Sequence, residues 1–272
     1  MIDIGLNLTS DKFAKDRKEI IERALKSNVS GFILTGTSLK ASKEAHELVK
    51  SNPTIMTSTA GVHPHDAKNW HRAKKEIENL ATQKSIVAIG ECGLDYDRMF
   101  STRDEQMTAF KEQLDLAIKY DKPVFLHVRP KIGDGEVKKI MDDFNEIFKP
   151  YYDKGVKGIV HCFTGNKKML DTFLGYSLYI GITGWVCDDK RGEQLQKLIK
   201  YIPDDKLMIE TDAPYLTPKN METKATRNEP AFLIYVANKI AELKNISVDE
   251  LSSLTDENVN SLFKWKPTTL KI

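Results

Sequence analysis

Glu91, His127, His161 and Asp212 each close a short apolar, β-branched run: Ile89-Gly90-Glu91, Val124-Phe125-Leu126-His127, Ile159-Val160-His161 and Met208-Ile209-Glu210-Thr211-Asp212. Carboxylates and imidazoles are the oxygen and nitrogen donors that divalent ions take, and metal-bound water is a source of hydroxide near neutral pH. Singly, each has an ordinary explanation. A strand-end His often only packs and hydrogen-bonds, and Glu91 or Asp212 could cap the following helix. Four at the ends of four strands are different, because a (β/α)₈ barrel brings its strand ends to one mouth. There they make a donor set for one or two divalent ions, the layout of a hydrolytic metal site.

The period of two along a strand tests whether these side chains can meet. Residues 125, 127 and 129 share a face, so His127 and Arg129 are expected to look into the mouth together. The same spacing pairs Glu210 with Asp212, Glu91 with Ile89, and His161 with Ile159. Cys92 and Cys162 should then point away, into the strand–helix layer, as inert buried thiols.

The elements needed to position this set can be read along the whole chain. Strands are expected over residues 2–8, 29–35, 55–62, 86–91, 124–127, 158–161, 178–181 and 207–211. Amphipathic helical patterns lie between them, among them 11–27, 39–49, 104–120, 135–148 and 193–201. Ser101-Thr102-Arg103-Asp104-Glu105 and Ser247-Val248-Asp249-Glu250 read as helix starts, with hydroxyl caps and acids in the first turn. Strand–helix alternation at these lengths implies parallel βαβ units in a single barrel domain spanning 1–272. An open doubly wound sheet is the alternative, and it lacks the GxGxxG or Walker sequence that marks a switch-point crevice.

Composition adds bounds. The 272 residues suit one barrel, and 41 basic against 39 acidic residues give a net charge of +2. That balance neither demands nor excludes a nucleic-acid partner, so affinity for a polyanion must come from a local patch. The three cysteines lack zinc-ribbon or CxxC spacing, and the odd count argues against a disulfide framework. The start, Met1-Ile2-Asp3-Ile4, reads as a strand rather than a targeting segment, and no apolar run reaches membrane-spanning length. A cytoplasmic, reduced, monomeric protein is expected.

Several segments carry a resemblance. Asn7-Leu8-Thr9, Gly61-Val62-His63-Pro64-His65, Ile89-Gly90-Glu91-Cys92-Gly93-Leu94-Asp95, His161-Cys162-Phe163-Thr164-Gly165, Tyr179-Ile180-Gly181-Ile182-Thr183-Gly184, Glu210-Thr211-Asp212-Ala213-Pro214-Tyr215 and Arg227-Asn228-Glu229-Pro230 resemble the TatD family of metal-dependent deoxyribonucleases. The resemblance covers essentially the whole chain, in the family's order. It implies an amidohydrolase-like barrel with 3′→5′ exonuclease action on single-stranded DNA, RNA being a further candidate, in DNA repair or degradation. It places metal coordination on Glu91, His127, His161 and Asp212. One departure stands out: where most relatives have His-x-His after strand one, this chain has Gly5-Leu6-Asn7. An ion there would rely on Glu91, Asp212, the Asn7 amide oxygen and water, an oxygen-rich set that suits Mg²⁺ or Mn²⁺ better than Zn²⁺.

The resemblance and the chemistry suggest roles for the remaining residues. Asp212 is the choice for orienting or deprotonating the attacking water, with Glu91 also in the catalytic group. His63 matches the family's Gly-x-His-Pro and is expected at the scissile phosphate or leaving group. His65 is either a substrate contact or a surface loop residue. Arg129 can fork two phosphate oxygens or form a structural ion pair. Trp185, followed by Lys190 and Arg191, can stack a base or wedge its loop onto the barrel. Lys219, Lys224 and Arg227 could guide a polyanion, whereas Lys74-Lys75 reads as a solvated helical face. Two other functions stay open: hydrolysis of aminoacyl-ester bonds on tRNA or of small amides and lactones, and a retired barrel used as a binding scaffold.

Overall fold

In the computed structural model, which describes residues 1–133, 135–222 and 225–268, eight parallel strands pair in chain order. They are β1 (Ile2–Leu6), β2 (Gly31–Leu34), β3 (Met56–Ala60), β4 (Ile86–Asp95), β5 (Val124–Arg129), β6 (Gly158–Val160), β7 (Tyr179–Ile182) and β8 (Leu207–Ile209). The seam between first and last strand is closed by a bridge of Leu6 with Ala213, and the amide of Asp212 donates to the Gly5 carbonyl at 2.9 Å. The result is a (β/α)₈ barrel. The helices are α1 (Arg17–Lys26), α2 (Leu39–Ser51), α3 (Trp70–Ala81), α4 (Arg103–Lys119), α5 (Glu136–Tyr152), α6 (Lys167–Gly175), α7 (Glu193–Ile199), α8 (Leu233–Lys244) and α9 (Val248–Phe263).

Local chemistry explains the starts. Thr102 and Glu105 form a reciprocal capping box at α4, and Ser247 accepts the Glu250 amide at the head of α9. The run 11–27 is not one helix. Arg17 reaches back to the carbonyls of Leu8 and Thr9, tying the chain to the end of β1, so a 3₁₀ turn (Asp11–Phe13) precedes α1. Helix α5 runs past the expected 148 to Tyr152, whose neighbour Tyr151 is buried and donates to Asp115 at 2.7 Å. Lys74 is not simply solvated, since its ammonium pairs with Glu112 at 2.9 Å.

Two apolar layers follow from strand alternation. Phe32, Leu34 and Leu126 face the helices, while Ile2, Ile4, Ile33, Phe125, Ile159 and Met208 fill the bore. Val259, Leu262 and Phe263 of α9 pack onto that inner cluster and close the barrel floor. Among the described residues no helix is long and apolar enough to cross a membrane.

Strand lengths differ from the sequence reading where it matters most. β4 continues four residues beyond 91, to Asp95. β6 and β8 stop short, so His161 and Glu210 to Asp212 lie beyond their strand ends. Alternation therefore fails there. Cys162 and Asp212 adopt φ of 47° and 53°, which turns their side chains out of the strand pattern.

Candidate metal centre

Glu91 owes its position to an irregularity. β4 pairs Gly90 with Phe125 and then Cys92 with Leu126, leaving Glu91 as the extra, bulged residue aimed into the mouth. Gly93, at φ 134°, is needed because a Cβ there would collide with the His127 carbonyl. Three imidazoles converge on Glu91 Oε1: His63 Nε2 at 3.2 Å, His127 Nδ1 at 3.1 Å and His161 Nε2 at 2.7 Å.

Two of these rings are held from behind by carboxylates. His127 Nε2 lies 3.0 Å from Asp95 Oδ2, and His161 Nδ1 lies 3.4 Å from Glu210 Oε2. A carboxylate that accepts the N–H of one ring nitrogen fixes the tautomer and turns the other lone pair toward the ion, the usual second partner of a metal-binding histidine. Glu91, His127 and His161 have donor atoms all within 4.8 Å of one another, and His63, Asp95 and His127 form a second such group. The fit to a divalent cation rests on this donor chemistry: one anionic oxygen and two back-supported nitrogens around one point.

Electrostatics point the same way. Burial pushes Glu91 up, but the charges of His161 and His63 and the bonds from His127 and His161 hold it well below the usual carboxylate range. Burial pushes His161 down, yet the Glu91 and Glu210 carboxylates raise it well above an ordinary imidazole. His127 is raised likewise by its bonds to Asp95 and Glu91, against burial. The three carboxylates thus favour positive charge at these two rings. His63 differs. Burial lowers it to about 4, and its Nδ1 accepts the His65 amide at 3.0 Å, so the neutral ring carries its proton on Nε2.

Asp95 was not among the residues picked out from the sequence, and it organises half the mouth. Its Oδ2 accepts from Arg129 at 2.5 Å and lies 2.8 Å from His65 Nε2 and 3.0 Å from His127 Nε2. Its Oδ1 accepts the amides of Asp97 and Arg98, each at 3.0 Å. Burial opposes ionisation, but the His127 and His65 bonds hold this carboxyl well below its ordinary range. The signal was present: Asp95 is four residues past Glu91, within the period of two, and directly opposite Arg129 on β5. Arg129 is therefore ion-paired, yet its buried Nε has no hydrogen-bond partner.

Asp212 stands apart from both donor groups. Its Oδ1 accepts from Asn7 Nδ2 at 2.8 Å, and burial raises its pKa to about 7. Glu210, expected to share its face, instead turns to His161 and accepts the Cys162 amide at 2.5 Å. Glu210 also occupies the space over Gly5 and Gly181, where a Cβ would meet its carboxylate oxygens. Gly5 thus leaves the room that a buried Glu210 fills. Cys162 does not point into the strand–helix layer; its sulfur is 3.8 Å from Thr183 Oγ1 in the field of Asp212 and Glu210, because its backbone is left-handed. Cys92 does lie in that layer.

The outer residues are divided. His65 lies in the mouth on Asp95. The Trp185 ring is covered by the Arg191 guanidinium at 4.6 Å, and Arg191 is tied to Asp188 at 2.7 Å. Lys190 and Lys219 are exposed, and Lys224 lies outside the described residues. Arg227 is not a free cation: it donates to the Lys12 carbonyl and pairs with Asp16 over the Phe13 ring.

Comparison with known proteins adds a second line. A family model described as TatD related DNase matches residues 2–264. A protein of Escherichia fergusonii named 3′-5′ ssDNA/RNA exonuclease TatD is 45% identical over 266 residues, covering 97% of this chain and 98% of that protein. The Escherichia coli K12 protein of the same name is 44% identical over 97% of this chain and 98% of its own length. Among solved structures, a TatD family hydrolase from Entamoeba histolytica superposes with a TM-score of 0.85 at 27% identity, covering 98% of each chain. A TatD homologue from Escherichia coli superposes at 0.84 with 23% identity, over 97% of this chain and 98% of its own, a likeness of fold.

Proposed function

The chain belongs to the TatD related DNase family, and on that premise we propose that it is a metal-dependent 3′→5′ exonuclease of single-stranded DNA and RNA. The observation that carries this reading is the convergence of His127 Nδ1 and His161 Nε2 on Glu91, with Asp95 and Glu210 behind the rings. Glu91, His127 and His161 would hold the ion, which when bound supplies charge neutralisation at the phosphate and an acidified water. Asn7 and Asp212 add oxygen donors to the side of the mouth next to them, which favours Mg²⁺ or Mn²⁺.

The chain's own groups account for the rest of the chemistry. The Asp212 carboxyl, at about 7, exchanges a proton near neutral pH and is held toward the mouth by Asn7, which suits it to accept the proton of the attacking water. Neutral His63 carries its Nε2–H at the mouth, 3.2 Å from Glu91 Oε1, where a phosphate or leaving oxygen could take that hydrogen bond in exchange. The Arg129 guanidinium, which is partly exposed, offers a phosphate charged N–H donors while Asp95 holds one of its nitrogens. The one barrel domain acts as a monomer in the cytoplasm.

The test is a 5′-end-labelled single strand of DNA, and one of RNA, incubated with Mg²⁺, Mn²⁺ or EDTA. A ladder shortening from the 3′ end with either ion, absent in EDTA, is expected. Glu91→Ala and His161→Ala should each lower turnover by at least ~10²-fold. Full activity in either variant, or activity with Zn²⁺ alone, would refute the assignment.

A further inference from the structure

Beside the mouth, the connection from β4 to α4 exposes Met99 and Phe100, at 45% and 58% of their surface. An exposed aromatic ring beside the mouth leaves a face free for the flat surface of a ligand. The surrounding loop is held firmly. Asp95 Oδ1 accepts the amides of Asp97 and Arg98, Gln106 Nε2 donates to the carbonyls of Asp95 and Ser101 at 3.0 Å each, and Ser101 Oγ donates to the His65 carbonyl at 3.0 Å. Ser101, the next residue, is buried. Phe100 is thus presented outward from a fixed backbone rather than left on a loose tip.

Its placement relative to the chemistry is equally defined. The Phe100 ring meets the His65 ring edge-on, with centroids 4.8 Å apart at 78°. His65 in turn contacts Asp95 at 2.8 Å and the Arg129 guanidinium at 3.3 Å. One ring separates Phe100 from the groups that face a phosphate. Trp185, the aromatic the sequence suggests for a base, has a face already taken by Arg191.

We propose that Phe100 is the base-stacking platform of the substrate groove, a binding subsite formed by its exposed ring beside His65, which takes any nucleobase of a single strand. The inference rests on the nuclease reading above. An aromatic face accepts every base, so the subsite confers grip without sequence choice, and grip of this kind enters substrate and transition state alike.

The experiment is steady-state hydrolysis of an oligothymidine in Mn²⁺ by wild type, Phe100→Ala, Phe100→Trp and Trp185→Ala, with thermal melting to confirm each fold. Phe100→Ala should raise KM by roughly 5- to 100-fold, with kcat within about twofold, and Phe100→Trp should restore KM. A second arm moves one abasic residue along the strand. At the stacked position it should raise KM of wild type and leave Phe100→Ala unchanged, because the ring and the base are then lost as a pair. An unchanged KM in Phe100→Ala, or an abasic penalty equal in both proteins at every position, overturns the proposal while wild-type activity upholds the nuclease reading. Wild type that hydrolyses no strand in any metal overturns both.

Discussion

At the scale of single residues, the proposed centre would exchange protons for metal. His127 and His161 are raised by the carboxylates they face, His161 strongly, so protons compete with an ion for their nitrogens. An ion must displace those protons to reach the nitrogens. Its apparent affinity should therefore rise with pH until the folded pKa values are passed. Calorimetric titration of Mn²⁺ in two buffers of different ionisation enthalpy should show release of about one proton or more per ion. Identical heats in both buffers would contradict the donor assignment. Asp95 gives a second prediction at this scale. It fixes the His127 tautomer from 3.0 Å while also holding Arg129, so Asp95→Asn should weaken metal affinity by about 10- to 100-fold. Metal titration of the folded variant checks this, and an unaltered affinity would leave Asp95 only a structural ion-pair partner.

At the scale of elements, the site depends on how strand ends are tied together. Asp3 of β1 is fully buried; its Oδ1 accepts the Thr211 amide at 2.9 Å and its Oδ2 accepts the Thr211 hydroxyl at 2.5 Å. This latch sets the segment after β8 that carries Glu210 and Asp212. Burial, against the Thr211 and Gly5 bonds, raises Asp3 from 3.8 to about 7. Because the folded pKa lies above the unfolded one, the group's stabilisation is present below the unfolded value and is lost as pH rises through the folded one. Asp3→Asn keeps an acceptor for Thr211 without titrating. Relative to wild type it should gain of order 4 kcal/mol between about pH 4 and about pH 7. Urea midpoints across that range test it, and a constant offset between the two proteins would show that Asp3 does not titrate as described. The elements also explain what can be read from the chain alone. Glu91, His127 and His161 are legible as converging groups because each ends a β-branched run. Asp95 is hidden because Gly90 and Gly93 look like strand breakers, whereas they let β4 bulge and approach β5. The facing of Asp212 and Cys162 departs from the alternation for the opposite reason: they lie past strands that end early, where left-handed backbone replaces it.

At the scale of the whole molecule, the barrel has one usable opening. Its bore is filled by Ile4, Phe125, Ile159 and Met208, and α9 seals the floor with Val259, Leu262 and Phe263. A strand cannot thread through, so it must enter and leave by the mouth. The residues proposed to hold the ion lie deep there: Glu91 and His161 are each only 5% exposed. A chain end can descend to them with one turn of its backbone. A continuous strand would need a tight reversal, bringing two runs of phosphates together in a protein whose net charge of +2 provides little to screen them. Covalently closed circular single-stranded DNA should therefore resist hydrolysis under conditions in which the same molecule, cut once, is degraded from its 3′ end. Denaturing gels of the circle and its linear form, sampled over one time course, make the comparison. Equal rates for the two would mean that an internal phosphate reaches Glu91 and His161 as readily as a terminal one, and that the depth of the mouth does not impose the exonucleolytic mode.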